Sequence, residues 1–174
     1  RDKAWLPHRG TTLAAYVAGE VLTAAGSVTL VGDPGKYAPL GHPVVADHVA
    51  GRGPLGGILT ALRTTHADWN LIVACDMPAV SADFLRRLLQ AADACGGDCL
   101  APRGENGRIE PLCAAYHRRC LPGLEQALAS NMLKMQDVVR MLEPVFWPVT
   151  EPEWFANINT PADWSDDLSQ PEPA

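Results

Sequence analysis

Residues 71 to 75, Leu-Ile-Val-Ala-Cys, form an apolar run with no polar residue at alternate positions, and the run stops at Asp76-Met77-Pro78. A run without alternation suits a strand covered on both faces, as inside a parallel sheet, and the ligands of such sheets gather beyond the carboxyl ends of their strands. Asp76 is expected at that end, with Pro78 closing the strand behind it. A carboxylate so placed can hold Mg2+ against a phosphorylated substrate, because Mg2+ takes one or two protein carboxylates together with phosphate oxygens. The competing role for Asp76 is to cap the next helix. Ser81 is better placed for it, since Ser81-Ala82-Asp83-Phe84 opens the following amphipathic stretch.

Elsewhere short apolar runs alternate with helical periods, which predicts an α/β fold with a mostly parallel sheet. Thr11-Thr12 open a helix through Leu13, Val17, Val21 and Leu22 that Gly26 ends, and Val28 to Val31 reads as a strand. A turn at Gly32 to Gly35 and a short strand at Val44-Val45 precede a polar loop holding Asp47, His48 and Arg52. Pro54 starts a helix whose Leu55, Ile58, Leu59 and Leu62 fall on one face. Phe84, Leu85, Leu88, Leu89 and Ala92 mark the buried side of another. Further strands are expected from Asp98 to Ala101, Glu110 to Tyr116 and Val145 to Trp147, with a polar loop at Arg103 to Arg108. Helices are expected at Leu124 to Ala129 and Gln136 to Leu142, and Thr160-Pro161 has the form of a helix start.

The 174 residues suit one domain, assigned to residues 1–168 with a frayed tail at 169–174. A net charge of −6 without a basic run argues against nucleic acid or an anionic membrane as partner and favours a small molecule. Five cysteines, an odd set without a CxxC pair or zinc spacing, read mostly as small buried residues in a reducing, cytoplasmic setting. The five histidines are scattered without ligand spacing and read as surface residues.

Lys3 can neutralise phosphates, although composition alone favours a plain charged residue in a mobile terminus. Asn157 and Asn159, two apart, point the same way on a strand and can converge on one ligand; Asx-turn chemistry explains the spacing equally well. The glycines at 53, 56 and 57 either leave helix amides open to a base or phosphate or let the helix pack tightly. No nucleophile elbow and no cysteine beside a base point to covalent catalysis.

Five stretches taken in order, Asp2-Lys3-Ala4-x-Leu6-Pro7, Gly53-Pro54-Leu55-Gly56-Gly57-Ile58, Ala74-Cys75-Asp76-Met77-Pro78, Ile109-Glu110-Pro111-Leu112-Cys113-Ala114-x-Tyr116 and Asn157-Ile158-Asn159-Thr160-Pro161, resemble the molybdenum cofactor guanylyltransferases, the MobA family. The resemblance implies a three-layer α/β/α Rossmann-like nucleotidyltransferase fold and transfer of GMP from GTP to the phosphate of molybdopterin, with Mg2+ as cofactor. It places Lys3 on the GTP phosphates, Asp76 on Mg2+, and Asp47 and Gly32 on the nucleotide. Asn157 and Asn159 match the amide pair beside the pterin and the reacting phosphates. The family's glycine-rich phosphate loop and first strand come before the Asp-Lys pair, and both are expected upstream of Arg1. A monomer is expected, with transient contact to cofactor-biosynthesis proteins and molybdoenzymes. The rivals are the sister cytidylyltransferase, phospholactate or sugar-phosphate nucleotidyltransferases, and a non-catalytic nucleotide or cofactor carrier; Gly53 to Gly57 leans towards the guanine enzyme.

Overall fold

The computed structural model describes residues 2–49 and 51–150. After a 3₁₀ turn at Lys3–Trp5, the hairpin of β1 (Pro7–His8) and β2 (Thr11–Thr12) leads into α1 (Leu13–Ala25). β3 (Leu30–Val31), the short helix α2 (Pro34–Tyr37) and β4 (Val44–Val45) follow, then α3 (Pro54–Thr64) and β5 (Trp69–Val73). α4 (Ala82–Ala94) precedes β6 (Cys99–Gly104) and β7 (Cys113–His117), and α5 (Leu121–Ala129), α6 (Met135–Met141) and β8 (Val145–Val149) complete the described chain.

Local chemistry sets the ends of these elements. The Thr12 hydroxyl accepts from the Ala15 N–H at the start of α1, and Gly26, at φ 75°, takes the left-handed cap at its end. The Ser81 hydroxyl accepts from the Phe84 N–H, so the cap of α4 is the serine and Asp76 is free of that duty. Glu20 of α1 also accepts from the Ala82 N–H, tying the two helices together.

One four-stranded sheet has the order β5-β7-β6-β8. β5, β6 and β8 run one way and β7 alone runs against them, so the sheet is mostly parallel in direction. β3 and β4 form a separate parallel pair. Alternation along the strands sends side chains to two cores. Cys113 and Ala115 of β7 and Leu100 of β6 meet Leu13, Val17, Phe84 and Leu88 of α1 and α4. Ala114, Tyr116, Cys99 and Ala101 meet α3, α5 and α6 on the other face. That is the α/β/α layering. Each fully buried leucine contributes about 1.5–3 kcal/mol to it.

Several boundaries differ from the sequence reading. The apolar run pairs as a strand only to Val73, because its neighbour is the antiparallel β7; Ala74 donates to the Leu112 carbonyl, and Cys75-Asp76 is a turn. The strand expected from Glu110 starts at Cys113, since Pro111 has no N–H and the Cys113 N–H closes a turn on the Glu110 carbonyl. Pro34 opens a one-turn helix, with the Asp33 carboxylate accepting from the Gly35 N–H, where a simple turn was expected. His8 and His117 are buried, contrary to the surface assignment. His8 packs edge-on against Tyr16, and His117 packs on Trp69 while its Nδ1 accepts from the Arg119 N–H. All five cysteines are free thiols, Cys75 among them exposed.

Candidate active site

β3 and β5 make no backbone hydrogen bonds to each other among the described residues. Between them lies a cavity of about 640 Å3, walled by Val17 and Val21 of α1 on one side and Ile58 and Ala61 of α3 on the other. Its lining is largely apolar, with charge supplied by Asp2, Lys3 and Asp76.

Lys3 and Asp76, 73 residues apart, meet here. The Lys3 ammonium lies 3.2 Å from Asp76 Oδ2, with the side chains 39% and 25% exposed. A pair this open is worth at most about 1 kcal/mol, so a phosphate for the lysine and a cation for the carboxylate can replace it at little cost. The turn after β5 positions Asp76, and the 3₁₀ turn Lys3–Trp5 positions the lysine. Asp2 caps that turn, its Oδ1 accepting from the Ala4 N–H at 3.1 Å.

The second oxygen of Asp2 accepts from the Tyr37 hydroxyl at 2.8 Å and pairs with Lys36. Burial opposes ionisation of Asp2, but the hydrogen bonds from Lys36 and Tyr37 outweigh it and hold the carboxyl below its ordinary value. Trp5 stacks on Tyr37, with ring centroids 6.3 Å apart. Gly32 lies under the same ring: a Cβ there would come within 2.7 Å of it. The glycine therefore admits the tyrosine, and through Asp2 joins the β3–β4 pair to the segment carrying Lys3.

Asp47 does not line the cavity but is anchored to α3, whose residues do. Its Oδ1 accepts from the Val49 N–H at 2.9 Å and from the Thr60 hydroxyl at 3.0 Å. Asn157 and Asn159 lie outside the described residues. Cys75 is chemically quiet beside Asp76, its thiol pushed up to about 11 by desolvation and by that carboxylate.

The structure thus brings Lys3 and Asp76 into contact, links Gly32 to them through Tyr37, and holds Asp47 on a neighbouring helix. The sequence reading missed Tyr37, Lys36 and Thr60. Thr60 left a signal, a hydroxyl among the apolar residues of a helix; Tyr37 left none. As to Mg2+, no cluster of three or more His, Cys, Asp or Glu occurs among the described residues. A single half-buried carboxylate lining an open cavity fits an ion whose remaining ligands are substrate phosphate oxygens and water. It does not fit an all-protein metal cage.

Comparison with known proteins gives the family and the fold. The family described as MobA-like NTP transferase domain matches residues 1–145. A probable molybdenum cofactor guanylyltransferase from Carboxydothermus hydrogenoformans is 31% identical over 171 residues, covering 94% of this chain and 85% of that protein. One so named from Flavobacterium johnsoniae is 29% identical, over 88% of this chain and 80% of its own. The crystal structure of molybdopterin-guanine dinucleotide biosynthesis protein A from Archaeoglobus fulgidus superposes with a TM-score of 0.78 at 27% identity, covering 95% of this chain and 88% of the other. No helix among the described residues is long and apolar enough to cross a membrane.

Proposed function

We propose a reaction from the premise that the chain belongs to the MobA-like NTP transferase family. It is a nucleotidyltransferase of molybdenum cofactor biosynthesis, transferring GMP from GTP to the phosphate of molybdopterin or its molybdenum form and releasing pyrophosphate. The observation that carries the mechanism is the meeting of Lys3 and Asp76 just beyond the carboxyl end of β5.

A phosphate oxygen of the pterin attacks the α-phosphorus of GTP in line. The bond from that phosphorus to the oxygen bridging to the β-phosphate breaks, and the electron pair leaves with pyrophosphate. No protein nucleophile is needed, so the chain contributes positioning and electrostatics. Lys3 leaves Asp76 for the phosphates and neutralises the charge that builds on the departing pyrophosphate. Asp76 is the residue that would hold Mg2+, which when bound withdraws charge from phosphate oxygens. Asp47 accepts from the nucleotide, with Gly32 beside it, and Asn157 and Asn159 receive the pterin end. A monomer handling small molecules, in transient contact with cofactor-biosynthesis proteins and the enzymes that take up the cofactor, completes the reading.

The test incubates the protein with molybdopterin, Mg2+ and labelled GTP or labelled CTP. Label from GTP is expected in the pterin product and label from CTP is not. Transfer from CTP alone would replace the guanine assignment with the cytidine one, and transfer from neither would leave a carrier.

A further inference from the structure

Thr60 is wholly buried, yet it is polar and sits on α3 between Leu59 and Ala61. A buried hydroxyl without partners costs about 1–3 kcal/mol, so what it bonds explains its presence. The other helical threonines among the described residues turn back on their own helix: Thr23 donates to the Gly19 carbonyl and Thr64 to the Thr60 carbonyl. Thr60 does not. Its hydroxyl donates to Asp47 Oδ1 at 3.0 Å and accepts from the His48 N–H at 3.1 Å, so both of its capacities are spent on the loop between β4 and α3.

Two features show that this docking is built in. Gly56, one helical turn before Thr60, leaves the gap into which the Val49 carbonyl fits; a Cβ at Gly56 would lie 2.6 Å from that oxygen. Asp47 Oδ1 also accepts from the Val49 N–H, and with two donors it is committed to the protein. No described residue donates to Oδ2. Among the described residues the carboxylate is therefore held through one oxygen, with no donor on the other.

We infer that Thr60 is a positioning residue for nucleotide binding: it sets the rotamer of Asp47 so that Oδ2 faces the N–H or O–H donors of the GTP nucleoside. The inference rests on the reading of Asp47 as a nucleotide contact. Thr60 itself does not line the cavity and acts only through the aspartate.

The test compares wild type, Thr60→Val, Thr60→Ser, Asp47→Ala and the double variant Thr60→Val/Asp47→Ala, each checked by thermal unfolding. It reads KM for GTP, kcat at saturating GTP, and direct binding of GTP with Mg2+ by equilibrium dialysis. Thr60→Val keeps the shape and loses the hydroxyl; it is expected to raise KM and the dissociation constant about tenfold with kcat within about twofold. Thr60→Ser is expected to restore wild-type KM, and Thr60→Val is expected to add nothing once Asp47 is alanine. An unchanged KM in Thr60→Val, with a raised KM in Asp47→Ala, would overturn the positioning role while sparing the aspartate. An equal effect of Thr60→Val on both backgrounds would reduce Thr60 to a loop fastener and also overturn it. GTP binding untouched by Asp47→Ala would sink the contact beneath both.

Discussion

Gly56 and Gly57 are neighbours in the first turn of α3, and the structure assigns them opposite responses to one added methyl group. Alanine is favoured over glycine inside a helix by about 1 kcal/mol, so propensity alone stabilises both variants equally. The surroundings then separate them. A Cβ at Gly57 meets nothing within 4 Å and points into open space, so the propensity gain is kept. At about 2–4 °C per kcal/mol for a chain of this size, Gly57→Ala should melt a few degrees higher than wild type. A Cβ at Gly56 meets the Val49 carbonyl at 2.6 Å and Asp47 Oδ2 at 3.3 Å. Ordinary contact starts near 3.4 Å, so residues 47–49 must retreat by roughly 0.8 Å. A retreat of that size stretches the 3.0 Å bond from Thr60 to Asp47 beyond hydrogen-bond range. Overpacking costs about 1–3 kcal/mol and a lost bond to a carboxylate about as much again, against a gain of about 1. Gly56→Ala should therefore lose about 1–5 kcal/mol, with a Tm lower by about 2–20 °C and a KM for GTP raised about tenfold. Calorimetry of the two variants beside wild type reads the stability and steady-state kinetics reads the KM. The packing argument is refuted if Gly56→Ala melts at or above the temperature of Gly57→Ala.

Asp76→Ala should lower turnover by more than about a hundredfold while moving Tm by less than about 3 °C, because the lost pair with Lys3 is half-exposed. Wild-type turnover with Mg2+ in that variant would remove the metal assignment. Burial lifts the Glu110 carboxyl above its ordinary value in spite of Arg108, so the fold favours the protonated form. The associated stability is complete below the unfolded-state value and is lost as pH rises through the folded one. Glu110→Gln should thus be at least as stable as wild type at neutral pH, with the advantage fading on acidification through the glutamate range. Urea titrations at several pH values read this, and a glutamine variant weaker at pH 7 than at pH 4 relative to wild type would reverse the sign. Burial also pushes the Cys113 and Cys120 thiols up to about 12. Native protein at pH 8 should expose far fewer than its five thiols to Ellman's reagent, and all five after denaturation. Rapid titration of all five without denaturant would contradict the packing described.

Much of this protein was legible in its letters. Thr12, Gly26, Pro54 and Ser81 mark helix ends because capping depends on a few bonds within one turn. The stripe Leu55, Ile58, Leu59 and Leu62 is buried as its period requires, and Asp76 follows a strand and lines a cavity. What stayed hidden depends on partners distant along the chain. Nothing in residues 71 to 75 says that their neighbour is the antiparallel β7, or that pairing stops at Val73. Burial of His8 and His117 waits on Tyr16 and Trp69. Lys3 and Asp76 were each visible as candidates, but only packing of the amino-terminal turn against the end of β5 puts their charges 3.2 Å apart. Tyr37 over Gly32, and Thr60 on Asp47, belong to the same class. Periodicity and caps are short-range properties that a sequence writes directly, whereas the meeting of side chains dozens of residues apart is set by the packing of whole layers, and the site is made of such meetings.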